Sequence, residues 1–150
     1  MLSAPKASQL AACAAVLGVL AGCSPRPAEE AVVEAPPATP TVEIVAPAAG
    51  DTITLPFTLR LSASGITIAP ASGVREEGIG HHHLLINLDP TPDGEPIPAA
   101  EGYVHLGSGV SEYVLEALPP GEHRIIAILA WGDHVPMAGS VRDTVRFVVR

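Results

Sequence analysis

Short runs of alternating apolar and polar residues, cut at close intervals by proline and glycine, limit this chain more than any other feature. In Phe57-Thr58-Leu59-Arg60-Leu61-Ser62, the residues Phe57, Leu59 and Leu61 fall on one face. In the run 141–149, Val145, Phe147 and Val149 do the same. A period of two is the signature of a strand with one buried face. Similar runs span 41–45, 66–68, 81–88, 103–106, 112–118 and 122–131. The run 122–131 is apolar on both faces (Ile125, Ile126, Ile128, Leu129), as a central strand must be. Turn chemistry separates the runs: a Pro/Gly/Asp loop at 89–102, Gly107-Ser108-Gly109, and Pro119-Pro120-Gly121. No stretch of 42–150 carries a helical apolar stripe. The expected fold is all-β, a single immunoglobulin-like antiparallel β-sandwich, with a small β-barrel as the alternative. Aromatic residues make up only 3% of the chain, so the core must be aliphatic. Trp131, the lone tryptophan, is expected at the rim of that core.

The first 41 residues read differently. Lys6 precedes a short apolar run, Leu10 to Leu20, too short to span a bilayer and of the length of a signal-peptide core. It ends in Leu20-Ala21-Gly22-Cys23, which resembles the bacterial lipobox. The resemblance implies a signal peptide over 1–22 and lipidation of Cys23. Ser24 then favours the outer membrane, facing the periplasm, in a Gram-negative envelope. Residues 23–41 hold the lipidated cysteine and a Pro/Ala/Glu-rich, disordered linker. The expected membrane contact is therefore a covalent lipid anchor.

Cysteine use fits export. Cys13 lies in the leader and Cys23 at its end, so 42–150 has no thiol for a disulfide, a nucleophile or a thiolate metal site. About 110 residues remain, enough for one core. The formal charge is −8 and Lys6 is the sole lysine, so nucleic acid is not an expected partner. The sequence points to no particular protein partner.

The chemistry concentrates in Gly80-His81-His82-His83-Leu84-Leu85-Ile86. Strand parity puts His82 on the core face with Leu84 and Ile86, as a buried histidine bonded to backbone. It puts His81 and His83 together on the opposite face. In an immunoglobulin-like order the strand 81–88 lies antiparallel to 122–131, which brings His81 and His83 beside Asp133 and His134. The 89–102 loop returns His105 to the same end, and His123 falls at the other. The candidate set is His81, His83, His105, His134 and Asp133. Neutral imidazoles suit copper or zinc, and Met137 would add a thioether favouring Cu(I). A hydrogen-bonded brace for the loops is the competing reading. Nothing points to an enzyme: Ser108 is not in a nucleophile elbow, Glu76 and Glu77 sit in a solvated Gly-rich loop, and no phosphate-binding loop occurs.

Five segments, GHHHLLINLD (80–89), EPIP (95–98), HLGSG (105–109), LPPGEH (118–123) and GDHVP (132–136), together resemble the bacterial domain of unknown function 4399. The resemblance runs from about residue 56 to 150. It implies a small exported β domain, often on lipoproteins, with no established activity. It also implies recurrent histidines at positions 81, 83, 105, 123 and 134. Members carry further histidines where this chain has Tyr103 and Met137.

Overall fold

The computed structural model describes residues 38–150; the expected signal peptide 1–22, Cys23 and the linker as far as residue 37 lie outside the described residues. Nine strands follow: β1 (Thr41–Ala46), β2 (Thr52–Ile53), β3 (Phe57–Ser64), β4 (Thr67–Ile68), β5 (Ile79–Ile86), β6 (Tyr103–Leu106), β7 (Glu112–Leu115), β8 (Gly121–Ala130) and β9 (Asp143–Val149). No helix occurs among the described residues. The fold is all-β, in two sheets.

The smaller sheet runs β1-β3-β7, and the larger runs β2-β9-β8-β5-β4, with β6 also on β5. The period-two faces meet between them. Val42, Ile44, Leu59 and Leu61 from one sheet pack on Leu84, Ile125, Leu129, Val145, Phe147 and Val149 from the other. Leu59, Leu84, Ile125 and Leu129 are fully buried. Each contributes roughly 1.5–3 kcal/mol of transfer free energy. Strand β8 is central, between β9 and β5, so both of its faces are covered.

The outer face of β8 and β5 has its own small core. Leu85, Ile126, Ile128 and Ala130 are covered by Ile97, from the loop after β5. This second layer covers the outer side of the large sheet along β5 and the last half of β8, while Glu122, Thr144 and Arg146 remain exposed.

Two details depart from the sequence reading. The sheets are not wholly antiparallel: β2 pairs with β9, and β4 with β5, in parallel. Both are two-residue edge pairings, too short to leave an alternating pattern. The histidine strand also begins earlier and stops sooner than expected, at Ile86. Asn87 ends it by taking φ 58°, a left-handed conformation asparagine tolerates. Its side chain then bonds across to β8, accepting at Oδ1 from Arg124 N–H at 2.9 Å.

Candidate functional site

Register builds the site. On β5 and β8 the pairs run His81↔Ala130, His82↔Leu129 and His83↔Ile128. On the other edge of β5, His83 lies opposite His105 of β6. Strand β8 then leads into the turn Trp131-Gly132-Asp133-His134. His134 N–H closes it on Trp131 O at 2.8 Å, and Trp131 N–H donates to Val135 O at 3.0 Å. His134 itself sits at φ 68°. A non-glycine residue held there carries local strain, which often marks a functional position.

The result is a group of four imidazoles, His81, His83, His105 and His134, whose ligand-capable atoms all lie within 4.8 Å of one another. His81 Nε2 and His83 Nε2 are 3.0 Å apart, and His105 Nε2 and His134 Nε2 are 3.2 Å apart. Ring centroids are separated by 4.6 Å (His105–His134) to 5.8 Å (His83–His134). Parity separates these rings from the core correctly, but they are not on an open surface. His81 is 0% exposed and His83 2%, while His105 is exposed and His134 half-buried. The cover comes from the turn after β8 and from the 89–102 loop, joined where Ile97 N–H donates to His134 O at 2.9 Å.

Burial dominates the electrostatics. It pushes His81 down to about 4, helped by the neighbouring charges of His105, His134 and His82. It pushes His83 down to about 3, with His81, His105 and His134 adding to the effect. His105 is lowered too, by burial and then by His134. The buried rings are therefore neutral at pH 7, the form that ligates metals. Among the described residues, Nδ1 of His81 and Nδ1 of His83 have no hydrogen-bond partner.

The other candidates go elsewhere. Asp133 lines the same cleft but turns its carboxylate to Arg75, with Oδ2 2.7 Å from Nε, and accepts from Val135 N–H at 3.2 Å. The hydrogen bond from Arg75 is the main reason its carboxyl is held below the usual range. Met137 is no ligand to this cluster. It is buried in the core between the sheets, and its Cε approaches the position a Cβ on Gly80 would take, on the opposite face of β5 from His81. His82 lies on the core side, and its Nδ1–H donates to Val110 O at 3.1 Å.

Three contributors escape sequence reasoning. Arg75 holds Asp133, and Ile97 pins the cover. Gly107 is the third: a Cβ there would collide with the His105 ring. Arg75 and Ile97 give no local signal because they act through contacts distant in sequence, whereas Gly107 acts on His105 two residues away and looks like an ordinary turn glycine. Three of the four rings, His83, His105 and His134, line a cleft of about 600 Å3 that is also bordered by Pro96, Pro98, Glu101 and Tyr103.

The donor set can be tested against a metal. A tetrahedral ion with nitrogen ligands at 2.0–2.1 Å needs nitrogens roughly 3.3 Å apart. The two Nε2 pairs, at 3.0 and 3.2 Å, lie close to that value. Bringing the pairs together asks for ring movements of about an ångström.

A family model described as a domain of unknown function (DUF4399) matches residues 59–150. Comparison with curated proteins finds no match. Among solved structures, the chain is similar to an engineered protein whose crystal structure was determined at 1.98 Å by the Northeast Structural Genomics Consortium. The TM-score is 0.45 and the identity 15%, over 77% of this chain and 21% of that one. The chain thus spans about a fifth of the length of that protein.

Proposed function

The chain belongs to this family of domains of unknown function, DUF4399, and on that premise we propose that it is a non-catalytic metal-binding protein of the bacterial envelope. Its ligands are His81, His83, His105 and His134. The observation that carries the reading is the direction of the rings. The buried pair meets Nε2 to Nε2 at 3.0 Å and the accessible pair Nε2 to Nε2 at 3.2 Å, the ligand atoms of all four lie within 4.8 Å of one another, and none of the four bonds a backbone carbonyl or a carboxylate. Each pair is also at N–H···N hydrogen-bond distance, so a brace accounts for the pairs but not for all four ligand atoms lying within 4.8 Å of one another. A shared cation needs converging lone pairs.

Four neutral nitrogens with no thiolate suit Cu(II) and Zn(II), with Cu(II) held more tightly by the general order of divalent affinities. With Met137 in the core, the soft donor that would favour Cu(I) is missing from the set. Four ligands fill a tetrahedral shell and leave no position for a reacting water, which supports binding rather than hydrolysis. Asp133, the acidic group beside the cluster, is engaged by Arg75. Export and lipid anchoring at Cys23 complete the proposal, on the strength of the lipobox resemblance at Leu20 to Cys23.

The test is titration of the protein with Cu(II) and Zn(II), followed by calorimetry, against the His81→Ala/His83→Ala double variant. The expected outcome is one ion per chain, with affinity at least a thousandfold lower in the variant, or about 4 kcal/mol. Equal, weak binding by both proteins refutes the reading.

A further inference from the structure

Resting on that metal-binding reading, we propose that the site takes up and gives back its ion by ligand exchange with an organic chelate seated in the adjoining cleft. His105 and His134 are the exchanging pair, and His81 and His83 are the holding pair.

The asymmetry of the four ligands is the first argument. His81 and His83 are 0% and 2% exposed, so nothing from solvent reaches the ion on their side. His105 is exposed and His134 half-buried, and both border the cleft. His83 borders the cleft too but is only 2% exposed, so an ion entering from the cleft meets the accessible pair first.

Size and chemistry of the cleft are the second. An ion with six waters, at about 30 Å3 of liquid each, occupies roughly 180 Å3. The cleft is about 600 Å3. Its walls include the side chains of Pro96, Ile97, Pro98, Ala99 and Ala100, which offer no hydrogen bonds to a hydration shell. They suit the carbon skeleton of a chelator instead. Glu101, at the same cleft, suits the N–H donors of a metal-bound amino group on that chelator. Wall and exchanging ligand are also one mechanical piece, since Ile97 N–H is bonded to His134 O at 2.9 Å. A chelate resting on the 96–98 segment lies directly beside His134.

In each exchange step an imidazole lone pair forms a bond to the ion as one chelate donor leaves. The released donor takes a proton from solvent, and the oxidation state of the ion is unchanged. The cargo class is thus an amino-acid or short-peptide complex of Cu(II) or Zn(II), rather than the free ion.

The experiment is stopped-flow transfer of Cu(II) from its bis-histidine complex to the protein, with the Cu(II) aqua ion as the second donor. The comparison variant is Ala99→Trp, at an exposed position lining the cleft and away from the four ligands. Transfer from the complex is expected to rise with protein concentration and then saturate. In Ala99→Trp it slows about tenfold, while uptake of the aqua ion and equilibrium affinity stay within about twofold. A transfer rate independent of protein concentration overturns the proposal, as does an Ala99→Trp protein that exchanges as fast as wild type. Either result with tight equilibrium binding leaves the metal site standing and refutes exchange alone. Equal, weak equilibrium binding by wild type and the His81→Ala/His83→Ala variant refutes both.

Discussion

The two ends of the large sheet treat histidine in opposite ways. At the end where β8 begins, His123 has both ring nitrogens satisfied. Its Nε2–H donates to Pro119 O at 2.8 Å, and its Nδ1 accepts from the Asn87 amide at 2.9 Å. The ring also lies 5.9 Å, centroid to centroid, from Phe147. At the end where β8 finishes, four rings turn toward one another, and the two buried ones have a ring nitrogen with no partner. A histidine that braces a fold resembles His123, with both ring nitrogens paired; His82 is intermediate, its Nδ1 on the Val110 carbonyl and its Nε2 without a partner. The contrast within one sheet shows that this protein can satisfy an imidazole with its own backbone, and that at the cluster it does not. The cost of leaving a buried polar atom unpaired is about 1–3 kcal/mol. The unpaired atoms are the Nδ1 nitrogens, so an ion held at the Nε2 atoms leaves that cost in place and must bind tightly enough to exceed it.

The largest expected difference between the ends is in metal-linked stability. With free metal a thousandfold above Kd, binding stabilises a protein by about 4 kcal/mol. Thermal unfolding with and without Cu(II) should show that rise in wild type and in His123→Ala, and none in His83→Ala. A metal-dependent rise in His83→Ala, or its loss in His123→Ala, breaks the contrast.

Acid should sharpen it next. His81 and His83 are pushed down to about 4 and about 3, from an ordinary value of 6.5. Between pH 6.5 and about 3 the unfolded chain therefore binds more protons than the folded one. Stability of the metal-free protein must fall as pH falls through that window, and these groups add no slope above it. Denaturant titrations across the range should show a clearly shallower loss in His81→Ala/His83→Ala than in wild type. A flat wild-type profile would count against burial of neutral rings.

The smallest effect belongs to the rim. Arg75 is 55% exposed and Asp133 29%, so their ion pair contributes about 0–1 kcal/mol to stability. Arg75→Ala should leave unfolding nearly unchanged and weaken Cu(II) binding by less than about tenfold, through a looser His134 turn. A thousandfold loss by calorimetry would mean that the Asp133 region contributes far more to the site than its geometry implies.

Much of this arrangement was legible before any fold was known, because strand parity is local. The triplet divides into His82 inward and His81 with His83 outward wherever the strand runs. The apolar β8 announces a central position, and the turn segments mark where chains reverse. What parity could not say is whether the outward pair meets water. That depends on Ile97, which comes from a loop and packs on Leu85, Ile126 and Ile128. Nor could spacing reveal that Asp133 turns to Arg75, 58 residues away, or that Met137 lies on the core side of β5. The edge pairings of β2 and β4 stayed hidden because two residues make no pattern.

Sequence alone determined that the chain is all-β and which face of its strand each histidine takes, since both follow from a backbone whose side chains alternate every residue. The meeting of His81, His83, His105 and His134 followed from an assumed strand order, and the structure does bring them together; tertiary structure alone decided that two of them are dry and neutral and that the aspartate is spoken for. Those outcomes rest on register between strands and on loops folded over the sheet. Such contacts are set by the packing of residues distant in the chain, and no short window of sequence contains them.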